Sequence, residues 1–128
     1  FLPLICYEVI YSGKINKSSE YFDFILNISE DGWFGNSIGP HQHYSHSVFR
    51  SIEEGKAVLR SSNNGISAYI NPKGQAIHKI LSTDKGFIEL NSFKKSNKTI
   101  FSIHGNKIFF YFLFIYISLI FFFKTRGN

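Results

Sequence analysis

The chain has no methionine, one cysteine, one tryptophan and only three prolines among its 128 residues. A lone cysteine, Cys6, cannot close an internal disulfide, so no redox compartment follows from pairing. Acidic side chains are scarce as well. All nine lie within residues 1–92, where they meet eight Lys or Arg for a balance of −1. The remaining bases, Lys94, Lys95, Lys98, Lys107, Lys124 and Arg126, stand on either side of an apolar block. Basicity split in that way fits anchoring at a membrane interface rather than a phosphate-tracking face, which excludes nucleic acid as a partner. A chain that opens on Phe1 and lacks methionine is expected to be a piece of a longer polypeptide or a processed product. Its length allows one domain of ordinary size at most.

What the chain does have begins at once. Leu2-Pro3-Leu4-Ile5 is an apolar run that predicts a short buried strand, and it delivers Cys6 to the strand's end, followed by Tyr7 and Glu8. A thiol at a strand-to-helix turn has one side exposed, and its thiolate is a nucleophile. A small buried core residue is the other fate open to it. Val9–Lys17 can form a short helix, weakened by Ser12-Gly13. Phe22–Ile28 predicts a second strand, running into polar Asn27 and Ser29, and residues 30–40 form a Gly-rich loop carrying Trp33 and Phe34. Pro40 suits a helix's first turn and Gly55 the residue past its end. Between them Tyr44, Val48 and Ile52 recur every four residues as an apolar stripe. Strands follow at Ala57–Leu59, Ile66–Ile70, Gln75–Ile80 and Gly86–Leu90, with Asn71-Pro72-Lys73-Gly74 as a β-turn. The order of elements is that of an α/β fold.

Ile108–Phe123 is sixteen consecutive residues without a charge, between Lys107 and Lys124. As a helix it would span about 24 Å, short of the ~30 Å hydrocarbon core, and its flanking lysines can reach outward to water. A helix apolar on every face has no side to show water, so a transmembrane helix is expected at 108–123, with 1–92 as the folded unit, 93–107 as a basic linker and 124–128 as a tail. Four lysines precede the span and Lys124 and Arg126 follow it, a count that would place the C-terminus outside.

Several groups could carry chemistry. His41, His43 and His46 invite a metal, but 41 and 43 do not share a helical face and no Cys, Asp or Glu lies at matched spacing, so no metal site is expected. Ser45, Ser47 and Ser51 lack a G-x-S-x-G elbow, which argues against a serine hydrolase. Arg60 through Gly65 can line a polar pocket at a strand end or form only a turn. Trp33-Phe34 can be a substrate-facing lip or a plug over the core; a Trp on an exposed loop more often contacts something.

Taken together, Pro3-Leu4-Ile5-Cys6-Tyr7-Glu8, Asn27-Ile28-Ser29, Asp31-Gly32-Trp33-Phe34-Gly35, Ser37-Ile38-Gly39-Pro40 and Gln42-His43 resemble the apolipoprotein N-acyltransferases of bacterial envelopes. Arg50, Glu53, Gly55, Leu59-Arg60, Asn63-Asn64-Gly65, the Ala68–Gly74 hairpin and the final apolar span extend the resemblance over nearly the whole chain. It implies part of a nitrilase-like α-β-β-α sandwich followed by a C-terminal transmembrane helix, on the periplasmic side of the bacterial inner membrane, with the C-terminus in the cytoplasm. It implies a Glu-Lys-Cys triad with Cys6 as nucleophile, no cofactor, a phospholipid as acyl donor and a diacylglyceryl apolipoprotein as acceptor. Tyr7 and Glu8 flank the nucleophile as supporting residues, with Glu8 ordering the site through hydrogen bonds. Trp33, Phe34, His43, Arg60 and Asn64 are the residues assigned to substrate binding, the first two at a lipid-access mouth.

The triad's glutamate and lysine would lie upstream of the cysteine, and residues 1–5 hold neither. Alone, therefore, this stretch is expected to be inactive. Two other readings stand beside the acyltransferase: an amide hydrolase of the wider nitrilase group, and a non-catalytic remnant or a half that works only with a separate N-terminal half.

Overall fold

The computed structural model describes residues 1–13, 15, 21–92 and 96–126. Five strands form one sheet in the order of the chain: β1 (Leu2–Ile5), β2 (Phe24–Glu30), β3 (Ala57–Asn63), β4 (Ser67–Ile70) and β5 (Ala76–Ile80). β1, β2 and β3 run parallel, whereas β4 and β5 are added antiparallel. A 3₁₀ helix, Cys6–Ile10, leaves the end of β1, and α1 (Gly39–Glu54) joins β2 to β3. A mixed α/β architecture is thereby established.

Register sorts the side chains. Leu4 lies beside Asn27 and Ile25 beside Val58, and one face of the sheet gathers Leu4, Ile25, Val58, Ala68 and Ile70 into a core with Val9 and Phe22. Tyr44 and Val48 of α1 pack against that core. Ile52, the third member of the expected stripe, does not: it is about half exposed. The inward face of α1 is instead mostly polar, with His43, Ser47, Arg50, Ser51 and Glu54 all buried. Gly55 stops the helix at a left-handed φ of 63°, the conformation for which glycine carries no Cβ penalty.

Two expectations need correction, and one expected element extends further than its uncharged run. The Val9–Lys17 helix is replaced by the 3₁₀ turn ending at Ile10; residues 14 and 16–17 lie outside the described ones. Gly86–Leu90 is not a strand, because no strand among the described residues pairs with it; Phe87, Ile88 and Leu90 lie over Leu26, Leu59 and Tyr69 around a cleft of ≈ 320 Å³. The apolar helix is also longer than the uncharged run. After the single turn α2 (Ile100–His104), α3 covers Lys107–Arg126, 20 residues. At ~1.5 Å per residue it is about 30 Å long, enough to cross a hydrocarbon core. Its Lys107–Lys124 window is wholly unburied.

Candidate functional site

The three parallel strands end on one edge of the sheet, and there the polar residues assemble. β1 ends at Ile5, directly before Cys6, β2 runs through Ser29 to Glu30, directly before Asp31, and β3 ends at Asn63. Crevices at the carboxyl ends of parallel strands are where ligands bind in α/β sheets.

Cys6 is half-buried and has a φ of 48°, left-handed for a residue that bears a Cβ. Such a conformation costs on the order of 1–3 kcal/mol and persists only where neighbours enforce it. The enforcing contacts are visible. Glu8 turns back so that its Oε2 accepts the Ile5 N–H at 2.7 Å, closing the first turn of the 3₁₀ helix. The Ser29 hydroxyl stands 4.0 Å from the Cys6 sulfur. His43 Nε2 lies 3.2 Å from the Cys6 carbonyl oxygen. Tyr7 stacks its ring on His43 with centroids 5.2 Å apart, and Phe34 approaches the same imidazole edge-on at 5.7 Å.

Behind this turn is a network that the sequence did not announce. His43 Nδ1 donates to Asp31 Oδ1 at 2.8 Å, and Arg60 Nη2 donates to Asp31 Oδ2 at 2.7 Å. The Ser29 hydroxyl donates to Asp31 Oδ1 at 2.7 Å. Arg60 Nη1 donates to Asn27 Oδ1, which also accepts from Ser47 at 3.2 Å, while the Asn27 amide donates to the Leu4 carbonyl at 2.9 Å. Arg60 Nε reaches the Ile66 carbonyl at 3.1 Å. Burial works to raise the Asp31 pKa, but the bonds from Ser29 and His43 and the charge of Arg60 outweigh it and hold the carboxyl below its usual value. Gly65 is required beside it, since a Cβ there would lie 2.1 Å from Asp31 Oδ2.

The residues assigned to substrate binding divide. Trp33 is 88% exposed, and Phe34 is half-buried beside Tyr7. Asn64 is exposed and, like Asn63, donates to Glu30. Glu30 also takes the Gly32 N–H at 2.6 Å, so this cluster braces the loop that carries Trp33. The Gly32 bond, then those of Asn63 and Asn64, lower the Glu30 pKa. His43 and Arg60 are only 3% exposed each, and their polar atoms are engaged by protein groups behind Cys6 rather than open to a ligand. Their signal in the sequence was positional: Asn27, Ser29 and Asp31 alternate along one strand face, and 43, 47, 50, 51 and 54 recur at helical spacing.

Comparison with known proteins now adds to the geometry. The model of the family described as carbon-nitrogen hydrolase matches residues 2–88. The chain belongs to that family. It is 39% identical over 126 residues to an apolipoprotein N-acyltransferase of Wigglesworthia glossinidia brevipalpis, covering 98% of this chain and 25% of the relative. Proteins of the same name from Rickettsia typhi and Rickettsia bellii are 41% and 40% identical over 105 and 121 residues, covering 81% and 90% of this chain and 21% and 24% of theirs. The chain thus spans about a quarter of the length of the curated relatives it matches. In this carbon-nitrogen hydrolase sheet, Cys6 occupies the end of the first strand that the family model covers.

Proposed function

We propose that this chain supplies the nucleophile-bearing part of an apolipoprotein N-acyltransferase. The observation that carries the reading is Cys6 at a left-handed turn on the carboxyl edge of the parallel strands, in a chain similar along nearly its full length to proteins of that name. In the first half-reaction the Cys6 thiolate attacks an ester carbonyl of a phospholipid. The C–S bond forms, the ester C–O bond breaks, and the lysophospholipid leaves as an alcohol after taking a proton. In the second, the α-amine of a diacylglyceryl-cysteine peptide attacks the thioester; a C–N bond forms, the C–S bond breaks, and the amine's proton passes to the base. Two covalent half-reactions of this kind give ping-pong kinetics.

The base and the cation that this chemistry needs are assigned to a glutamate and a lysine upstream of the cysteine, which residues 1–5 do not contain, in the same polypeptide or in a separate half. Backbone N–H groups at the start of the Cys6–Ile10 helix are placed to receive the tetrahedral oxyanion. Trp33 and Phe34 border the lipid mouth, with Asn64 bracing its rim. Residues 108–123 of α3 lie in the inner membrane with the folded unit, residues 1–92, on its periplasmic side and residues 93–107 as the linker, which brings both lipid substrates to the site in the bilayer plane. Hydrolysis of small amides is the second reading, favoured by the family's own description; the unburied apolar α3 stands against it.

The test is intact-mass spectrometry of the natural membrane polypeptide after incubation with a defined phospholipid. An acyl adduct on Cys6 that is discharged by a diacylglyceryl peptide, and is absent in Cys6→Ser, is the expected result. Release of acid from small amides without any lipid-derived adduct would favour the hydrolase.

A further inference from the structure

Two residues of α1 grip the Cys6 turn at its two ends. His43 meets its first carbonyl, that of Cys6, at 3.2 Å, a bond it can donate together with the one to Asp31 only as the doubly protonated ring. Arg50 meets its last ones: Nη1 donates to the Ile10 carbonyl at 3.3 Å and to that of Tyr11. The dimensions match. Seven residues of α-helix rise about 10.5 Å, and the five steps of 3₁₀ helix from Cys6 to Tyr11 rise about 10 Å.

Each contact is itself pinned from behind. Asp31 holds His43 Nδ1 at 2.8 Å and is held in turn by Arg60. Glu53 Oε1 takes Arg50 Nη2 at 2.8 Å and is tied to Ser12, on the segment that leaves the turn, at 2.9 Å. Both gripping side chains are buried, so water does not compete for their bonds. We propose that α1 is a two-point clamp on the Cys6 turn, with His43 and Arg50 as positioning residues that set the direction of the thiol without touching the substrate. The inference rests on Cys6 being the nucleophile, and the acyl-adduct assay above decides that point separately.

The imidazole's two nitrogens can be tested apart. In His43→Gln the side-chain amide reaches to where Nε2 stands and can keep the Cys6 contact while losing that to Asp31. In His43→Asn it reaches only to where Nδ1 stands, keeping Asp31 and losing Cys6. The readout is the rate at which iodoacetamide alkylates Cys6 in the natural membrane polypeptide, with thermal unfolding followed in parallel. The clamp predicts that His43→Gln stays within about twofold of the native rate. His43→Asn and Arg50→Gln are expected to change it by on the order of tenfold or more, as a misplaced reactive group does. Arg50→Lys, which retains the charge on a single donor nitrogen, falls between. Equal rates in His43→Gln and His43→Asn, with both folded, would overturn the proposal.

Should the asparagine variant not fold, ¹⁵N NMR of the native protein decides. A slowly exchanging hydrogen on His43 Nε2 that shifts when Cys6 is alkylated supports the clamp; a bare Nε2 overturns it. If Cys6 takes no acyl group yet the variants rank as stated, the nucleophile reading falls and the clamp stands.

Discussion

α1 and α3 are built on opposite plans. α1 turns His43, Ser47, Arg50, Ser51 and Glu54 inward, whereas α3 turns phenylalanines, isoleucines and tyrosines outward over its whole length. Neither arrangement follows from the helix alone. α1 crosses the polar ends of β2 and β3, where Asn27, Ser29, Asp31 and Arg60 supply partners for its polar face, and buried polar groups are tolerable when they are paired. Among the described residues α3 meets α2 and little else, which leaves its apolar surface uncovered. A lipid bilayer is the cover proposed for it above. The lesson is that burial is decided by what faces a helix, and that hydropathy alone would have ranked these two in reverse.

The largest effect is expected at α3. Removal of residues 108–123 should move the protein from the membrane pellet to the soluble fraction, since no other helix among the described residues is long and apolar enough to cross a bilayer. Continued sedimentation with membranes would mean that another surface does the anchoring.

At α1 the expected effect is on stability. Asp31→Ala leaves Arg60 buried without its carboxylate, a loss of about 3–5 kcal/mol for a broken buried pair. Arg60→Ala should be similarly harmful, and the double variant less so than the sum, with a coupling of about 1–3 kcal/mol in a urea-unfolding cycle. Additive losses would show that the two side chains act independently.

The same network fixes the response to acid. The folded-state pKa of Asp31 lies below its unfolded value, so its contribution is complete above about pH 4, where the unfolded carboxyl is ionised, and is lost as pH falls through the folded value. Glu54 acts in the opposite sense. Burial, and then the charge of Glu53, push its pKa up, so protonation relieves a penalty as pH falls. Unfolding free energy measured from pH 6 to pH 2 should therefore fall less steeply in Asp31→Asn than in the native chain, and more steeply in Glu54→Gln. Parallel curves for all three would separate acid unfolding from these two residues.

Much of the frame was legible before any coordinates. Pro40 and Gly55 bracket α1 as their backbone preferences require, and the Asn71–Gly74 turn closes with Gly74 N–H on the Asn71 carbonyl at 2.9 Å. Cys6 at the end of a strand was equally plain. What escaped was the set of polar contacts. Apolar periodicity picks out Tyr44, Val48 and Ile52, whereas the buried polar set begins one position away. Gly86–Leu90 has the composition of a strand, but a strand also needs a neighbour to bond, and sequence does not say where neighbours are. Asp31 and Asn27 were seen as motif letters; that they tie Leu4, Arg60 and His43 together depends on register, which alternation along one strand cannot reveal.

The smallest effect is also the sharpest test of how α1 is rotated. Val48 packs against the core, whereas Ile52 is 48% exposed, beside Gly74 of the β-turn. Val48→Ala should cost about 1–2 kcal/mol, the range for deleting packed methyl groups. Ile52→Ala should cost less, about 0.5–1 kcal/mol, although it removes more carbon, because it lies outside the core and about half of it already meets water. The apolar stripe read from the sequence predicts the reverse order, with the larger side chain losing more. Thermal unfolding of the two variants under one condition therefore asks whether the polar face, and with it His43 and Arg50, is the face turned toward Cys6.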